Sequence, residues 1–285
     1  MPQTINTNLV SLNAQRNLST SQSQLSTSMQ RLSSGLRVNS AKDDAAGLAI
    51  AERMNSQVRG MNVAMRNAND GISLAQTGEG ALGKVSDILQ RMRELAVQAA
   101  NGTNTLEDRT SVDTEYQQLA SEAKRTMGGT EFNGQKILAT TGTTIFQIGA
   151  KTDTTLDQIS VVNFDWTAAA GIAPALGADL ATAPTSLADA TGAAALAAMG
   201  LLDTAIDAIN SQRAVFGAVQ NRFDNVISNL MVSSENQSAA RSRIMDADYA
   251  SETANLSRAS ILQQAGNAMV AQANQLPQQV LALLR

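Results

Sequence analysis

Histidine and cysteine are both absent from the 285 residues, and the two absences remove whole classes of chemistry. Without imidazole or thiol there is no Ser-His-Asp or Cys-His catalysis, and the usual zinc, haem and iron-sulfur ligand sets are missing. Disulfides go with them. Aromatic residues make up only 3% of the chain, which suits helices packed side by side better than a thick globular core. Basic charge is not in excess either: the net charge of -4 argues against nucleic acid as a partner. The segment from Met1 to Asn6 has neither the basic n-region nor the apolar h-region of a cleavable secretory signal. No uninterrupted apolar run approaches the ~18 residues of a membrane span. The expectation is a soluble chain with no cofactor and no membrane insertion.

What the sequence does contain is periodicity. Ile5, Leu9 and Leu12 fall at steps of four and three, and Leu18, Leu25, Met29, Leu32 and Leu36 continue at seven, four, three and four. The rhythm returns at the other end, where Leu262, Met269, Leu276 and Leu283 recur every seven residues, with Gly266, Ala273 and Val280 four places after the first three. Both are heptad-like stripes. Two terminal stripes with no other evident partner are expected to pack on each other. Residues 1–36 carry only Arg16 and Arg31 as charges and otherwise show Gln, Asn, Ser and Thr. Such a face can meet other copies of itself without repulsion between like charges; the plainer reading is a marginal terminal helix that frays.

Between the ends the pattern predicts a second helical layer. Ser40, Asp43 and Asp44 before the apolar run Ala45 to Met54 read as a helix start. Leu82, Val85, Leu89, Met92, Ala96 and Ala99 form a regular seam that Asn101 and Gly102 end. Thr105, Glu107 and Asp108 open a further helix, with Val112, Tyr116, Leu119 and Ala123 as its seam until Gly128 and Gly129. The short break predicts an antiparallel helical hairpin. Thr144 to Ala150 and Gln158 to Phe164 then read as a small β-hairpin around Asp153, and the Ala, Gly, Thr and Pro stretch from Thr167 to Thr191 as a compact linker or surface loop. Leu202, Ile206, Ile209, Phe216, Phe223, Ile227 and Leu230 predict one long returning helix.

The fold class expected is therefore mainly α: a long coiled-coil-like bundle from paired N- and C-terminal regions, with a small β-hairpin region. The expected domains are an inner core from 1–40 and 250–285, a helical rod from 41–164 and 192–249 with the hairpin, and a short variable surface loop over 165–191. An enzyme would have to use Asp246, Asp248 and Tyr249, or Asp43 and Asp44, with a hard cation; these pairs supply too few oxygen ligands for calcium or magnesium, and capping accounts for them. Gly78, Gly80 and Gly83 lack the strand and the Lys-Ser/Thr pair of a phosphate loop, so close helix approach is the expectation there.

Several long strings resemble the bacterial flagellin family. At the amino-terminal end these are Ile5-Asn6-Thr7-Asn8, the run from Leu32 through Gly35, Arg37, Asn39 and Asp43 to Leu48, and Gln90-Arg91-Met92-Arg93-Glu94-Leu95-Ala96-Val97-Gln98. At the carboxy-terminal end they are Arg243-Ile244-Met245-Asp246-Ala247-Asp248-Tyr249-Ala250 and the tail through Gln275, Leu276, Pro277, Gln278, Val280 and Leu284. The resemblance implies a short form without large outer domains, a non-enzymatic subunit of an extracellular flagellar filament for swimming motility, exported by the flagellar type III channel. The alternative is a hook-filament junction protein of the same export system. Its implied partners are further copies of itself, an export chaperone on the carboxy-terminal region, hook-associated junction and cap proteins, and a host Toll-like receptor contacting Gln90, Arg91, Leu95 and Glu115. For inner-core packing and self-assembly the expected residues are Leu18, Leu25, Met29, Leu32, Leu36, Leu262, Met269, Leu276, Val280 and Leu283.

Overall fold

The structure, a computed structural model, describes residues 7–167, 172–177, 184–189 and 191–283, with side chains through residue 275. Helix dominates, and the mainly α expectation holds. The order is α1 (Leu9–Ser34), α2 (Ala45–Ala100), α3 (Leu106–Gly129), β1 (Glu131–Phe132), β2 (Gln135–Lys136), β3 (Thr143–Gln147), β4 (Gln158–Val162), α4 (Ile172–Leu176), α5 (Ala193–Met245) and α6 (Tyr249–Leu283). These form two compact units, Met1–Val58 with Glu235–Arg285, and Arg59–Ser234. The division thus falls well inside α2 and α5, because residues beyond 40 and before 249 make contacts of their own in the first unit. There Val38, Ala51 and Met245 form a small cluster flanked by Leu36, Leu48 and Ile244.

In the first unit α1 lies along α6. Asn8 starts α1 by accepting the Ser11 backbone N–H on its side-chain oxygen at 3.1 Å. Gly35 ends it at φ 71°, where a left-handed residue lets its N–H donate to the Arg31 carbonyl at 2.8 Å. A short antiparallel bridge pairs Leu36 with Asp246, and the Arg37 and Ala247 N–H groups donate to the carbonyls of Met245 and Gly35. Asp44 caps α2 by accepting the Gly47 N–H at 2.7 Å, while Asp43 closes the preceding turn by accepting from Asn39 and Ser40. Asp248 does the same for α6 through the Ala250 N–H, and Asp246 accepts the Ser242 hydroxyl. The carboxylates weighed above as cation ligands are thus engaged in local capping bonds.

In the second unit α2, α3 and α5 bury one continuous core that includes Leu82, Leu89, Met92, Tyr116, Leu202, Ile209, Phe216 and Phe223. Thr105 and Asp108 form a reciprocal capping box at the start of α3. The expected hairpin is β3 paired antiparallel with β4, Thr143 opposite Val162 and Gln147 opposite Gln158. A second hairpin, β1 with β2, turns on Asn133 and Gly134 with φ of 50° and 76°; the Asn-Gly pair is the sequence signal for it. One helix stretch of α5 is long and apolar enough to cross a membrane. Its Leu202, Ala205, Ile209 and Phe216 are instead core residues of this unit.

The stretch read as a linker or surface loop is in part core. Trp166, Ile172, Ala175, Leu176 and Leu187 are all buried. Low charge and small residues look alike in a solvated loop and in a segment laid over a core, and the large side chains described here are covered. The glycines also divide. A Cβ on Gly78 would stand 2.9 Å from the Phe216 ring, whereas Gly80 and Gly83 have nothing within 4 Å. Close helix approach explains the first and not the other two.

Candidate self-assembly interface

The α1/α6 seam is built from small residues. Ser11, Ser21 and Ser28 are buried on α1, and Glu252, Ala259 and Ala273 on α6. With Gly266 between them, the α6 set repeats every seven residues, and a Cβ added at Gly266 would come 3.2 Å from Leu18 Cδ1. Small side chains let the two helices approach closely, but they bury little apolar area and specify register weakly. Polar pairs supply that register. The Asn8 amide donates to the Ala273 carbonyl and the Ser11 hydroxyl to the Asn274 side chain, both at 2.7 Å. At the other end Arg31 faces Glu252 at 3.8 Å, and the Tyr249 hydroxyl donates to the Leu32 carbonyl at 3.4 Å.

Of the large apolar residues, Leu18 reaches this seam at Gly266, and none on α1 or α6 is fully covered among the described residues. Leu18, Leu25, Leu32 and Leu36 are half-buried. Met29, Leu262 and Met269 are 58%, 46% and 59% exposed, and Leu9, Val10, Leu12 and Ile261 are exposed with them. Of the expected carboxy-terminal stripe, Gly266 and Ala273 do face α1, whereas Leu262 and Met269 do not, which corrects that part of the expectation. Two heptad sets run along α6, and the smaller one faces inward because it permits the closer approach. The side chains of Leu276, Val280 and Leu283 lie outside the described residues, as does Ile5. From Ala259 to Leu284 there is no charged residue, so no ionised group has to be dehydrated when this face is covered.

The second candidate patch lies on α2 and α3. Arg91 donates to Glu94 at 2.9 Å and to Glu115 at 3.0 Å, and the Glu94 hydrogen bond, then Glu115, holds the guanidinium pKa above its ordinary value. Gln90, Arg91 and Glu115 face solvent. Leu95 does not: only 2% of it is exposed. The expected apolar contact beside Arg91 is therefore corrected, since Leu95 joins the core seam three residues after Met92 and four before Ala99, both buried. Near this patch, burial first and the Asp113 charge second push the Tyr116 hydroxyl up to about 12, so the phenol stays neutral. Among the described residues no cluster of His, Cys, Asp and Glu could hold a metal ion.

Sequence reasoning missed two polar devices. One is the Arg31 and Glu252 pair, signalled only by Arg31 being one of two charges in the first 36 residues. The other is Arg109, which is 3% exposed and donates to three carbonyls.

Comparison with known proteins gives two matches that together span most of the chain. Residues 5–143 match the bacterial flagellin N-terminal helical region, and residues 199–284 the bacterial flagellin C-terminal helical region. A flagellin from Halalkalibacterium halodurans is 46% identical over 282 residues, covering 99% of each chain. A flagellin from Bacillus subtilis is 44% identical over 305 residues, again covering 99% of each. Among solved structures, a Vibrio parahaemolyticus chain described as a flagellar hook-associated protein has a TM-score of 0.58 at 13% identity, covering 72% of this chain and 100% of that one. Likeness at that identity speaks to fold alone.

Proposed function

This chain belongs to the bacterial flagellin family, and from that premise we propose that the large apolar side chains left uncovered on α1 and α6 are the surfaces through which identical copies bind one another. The chain is a structural subunit of the extracellular flagellar filament and not an enzyme. Full-length identity to flagellins favours this over the hook-filament junction reading, for which only fold likeness speaks. Copies self-assemble, and the filament associates with hook-associated proteins.

One observation carries the residue-level reading: small residues face inward in the α1/α6 pair, while Leu9, Leu12, Met29, Ile261, Leu262 and Met269 remain exposed. Apolar area left in water costs of order 25 cal/mol per Å², and a neighbouring copy removes it. The charge-poor polar positions between these residues avoid like-charge repulsion when copies stack. In this reading the first unit supplies the inner layer of the filament and the second the surrounding layer. Before export, a chaperone covers the carboxy-terminal stripe of Leu262, Met269, Leu276, Val280 and Leu283.

The test is elongation of filament fragments by purified chain. Leu12→Glu with Leu262→Glu is expected to raise the concentration needed for growth by about a hundredfold, since each places an unpaired charge in a dehydrated contact. The same variant should lose chaperone capture. Trp166, the one tryptophan and buried in the second unit, should keep its native fluorescence. Undiminished growth would overturn the assignment.

For the host receptor, the solvent-facing set is Gln90, Arg91 and Glu115, with Leu95 acting from beneath as packing. Arg91→Ala is expected to lower activation of a Toll-like receptor reporter by about tenfold, as central arginines do at interfaces. A change under twofold would remove this patch from the receptor contact.

A further inference from the structure

From the exposure of its methionines we infer that Met29 and Met269 form an oxidation-sensitive gate on assembly: a hydroperoxide converts them to sulfoxides in the free chain, and the sulfoxides block polymerisation. This rests on the reading of the exposed α1 and α6 faces as the copy-to-copy surface.

The chain has 11 methionines and no thiol to compete with them. Met61, Met92, Met127 and Met245 are buried, and Met54, Met65 and Met199 are half-buried. Only Met29, Met231 and Met269 are well exposed among the described residues, at 58%, 59% and 59%. Accessibility governs sulfoxide formation, so the exposed three are the reactive set. Two of them stand on the faces assigned to assembly. Met29 borders a groove with Leu25, Leu256, Ser257, Ser260 and Ile261, and Met269 stands in the uncharged stretch one heptad from Leu262. Met231 lies on α5, in the second unit, and belongs to neither face.

The chemistry balances with the oxidant alone. The thioether sulfur gives an electron pair to one oxygen of hydrogen peroxide, the O–O bond breaks, and an S–O bond forms. The other oxygen leaves as water, taking the proton from the oxygen transferred. Methionine loses two electrons and the peroxide gains them. The product is no longer a flexible apolar side chain but a polar one with a strong acceptor oxygen. Buried against apolar surface without a donor, that oxygen carries a desolvation cost that each copy would meet on joining. Once a copy is in place, its own neighbours shield the same sulfur atoms. The gate thus acts on free chain and spares finished filament, and a sulfoxide reductase reopens it.

Free chain and filament are treated in parallel with hydrogen peroxide, sulfoxides are mapped by peptide mass spectrometry, and the treated chain is offered to filament fragments. Free chain is expected to oxidise first at Met29, Met231 and Met269, and its threshold for growth to rise by about tenfold or more. The Met29→Leu, Met269→Leu double variant should grow equally before and after treatment, whereas Met231→Leu should gain no resistance. Growth at full rate with both sulfoxides in place would overturn the gate and leave the assembly surface standing. Failure of the double variant to resist treatment, or resistance conferred by Met231→Leu, would also overturn it. Oxidation of Met29 and Met269 as fast in filament as in free chain would instead overturn the assembly reading on which the gate rests.

Discussion

Phe223→Ala is expected to lower the stability of the second unit by about 3–5 kcal/mol, the range for emptying a buried phenylalanine site. The urea midpoint followed by Trp166 fluorescence would measure it. Phe223 and Phe216 are fully buried on α5, one heptad apart, and each ring sits over a glycine of α2. A Cβ on Gly71 would stand 2.5 Å from Phe223 Cζ, and one on Gly78 would stand 2.9 Å from Phe216 Cε2. The pairing order runs oppositely along the two helices, so α2 and α5 are antiparallel here. Phe223 also meets Phe146 of β3 edge to face, with ring centroids 5.5 Å apart and planes at 83°. That contact joins the hairpin to the helical layer.

The glycines make the argument sharper, because two effects oppose each other at Gly71. Alanine gains about 1 kcal/mol of helix propensity over glycine, while overpacking a closed core costs about 1–3 kcal/mol. Gly71→Ala is therefore expected to destabilise the native protein modestly. In a Phe223→Leu background the clash is relieved, and the same substitution should become neutral or stabilising. A sign that does not change between the two backgrounds would show that the ring is not what the glycine accommodates.

Arg109→Ala has the second large expected effect, a loss of about 3–5 kcal/mol by the same measurement, since one buried and two part-buried hydrogen bonds are lost at about 1–3 kcal/mol each. The guanidinium donates from Nε to the Ala99 carbonyl at 2.9 Å, from Nη1 to Asp189 at 2.8 Å and from Nη2 to Asn101 at 3.2 Å. Ala99 and Asn101 are at the carboxy-terminal end of α2, where unpaired carbonyls concentrate negative potential. Asp189 belongs to the stretch after the short helix α4, and Asp113 of α3 holds the same stretch by accepting the Ser186 hydroxyl and the Leu187 N–H. One planar fork thus ties the helical hairpin to the chain that leads into α5. Arg109→Lys keeps the charge but places its donors on a single nitrogen, where the native bonds leave from three nitrogens of a planar fork. It should fall between alanine and the native protein, and a lysine variant of native stability would mean that charge alone is sufficient.

Some of this was legible before any coordinates. The heptads at both ends, the Thr105 and Asp108 box and the β3/β4 hairpin follow from local chemistry, since a cap or a turn is decided by residues within a few positions of one another. The assembly residues were legible as a set and not as a face. Leu262 and Met269 were expected against α1 and stand exposed, because a second heptad of Glu252, Ala259, Gly266 and Ala273 satisfies the same period. The family resemblance implies an accessible Leu95, yet the α2 seam is wide enough to take it in. Trp166, Ile172 and Leu187 lay in a stretch whose composition suggests solvent, and burial came from elements distant in sequence.

The amino-acid sequence by itself determined what this protein is made of and what it cannot do: helices with heptad faces, caps at their starts, charge-poor ends, and no imidazole or thiol. It also determined the family, because long strings in fixed order carry far more information than any one motif. Only the tertiary structure decided which heptad faces inward, which glycine receives a ring and which arginine is a clamp. Periodicity fixes how side chains are spaced around a helix, but the choice among equally spaced faces depends on how closely two backbones approach, and that is settled only when distant segments meet.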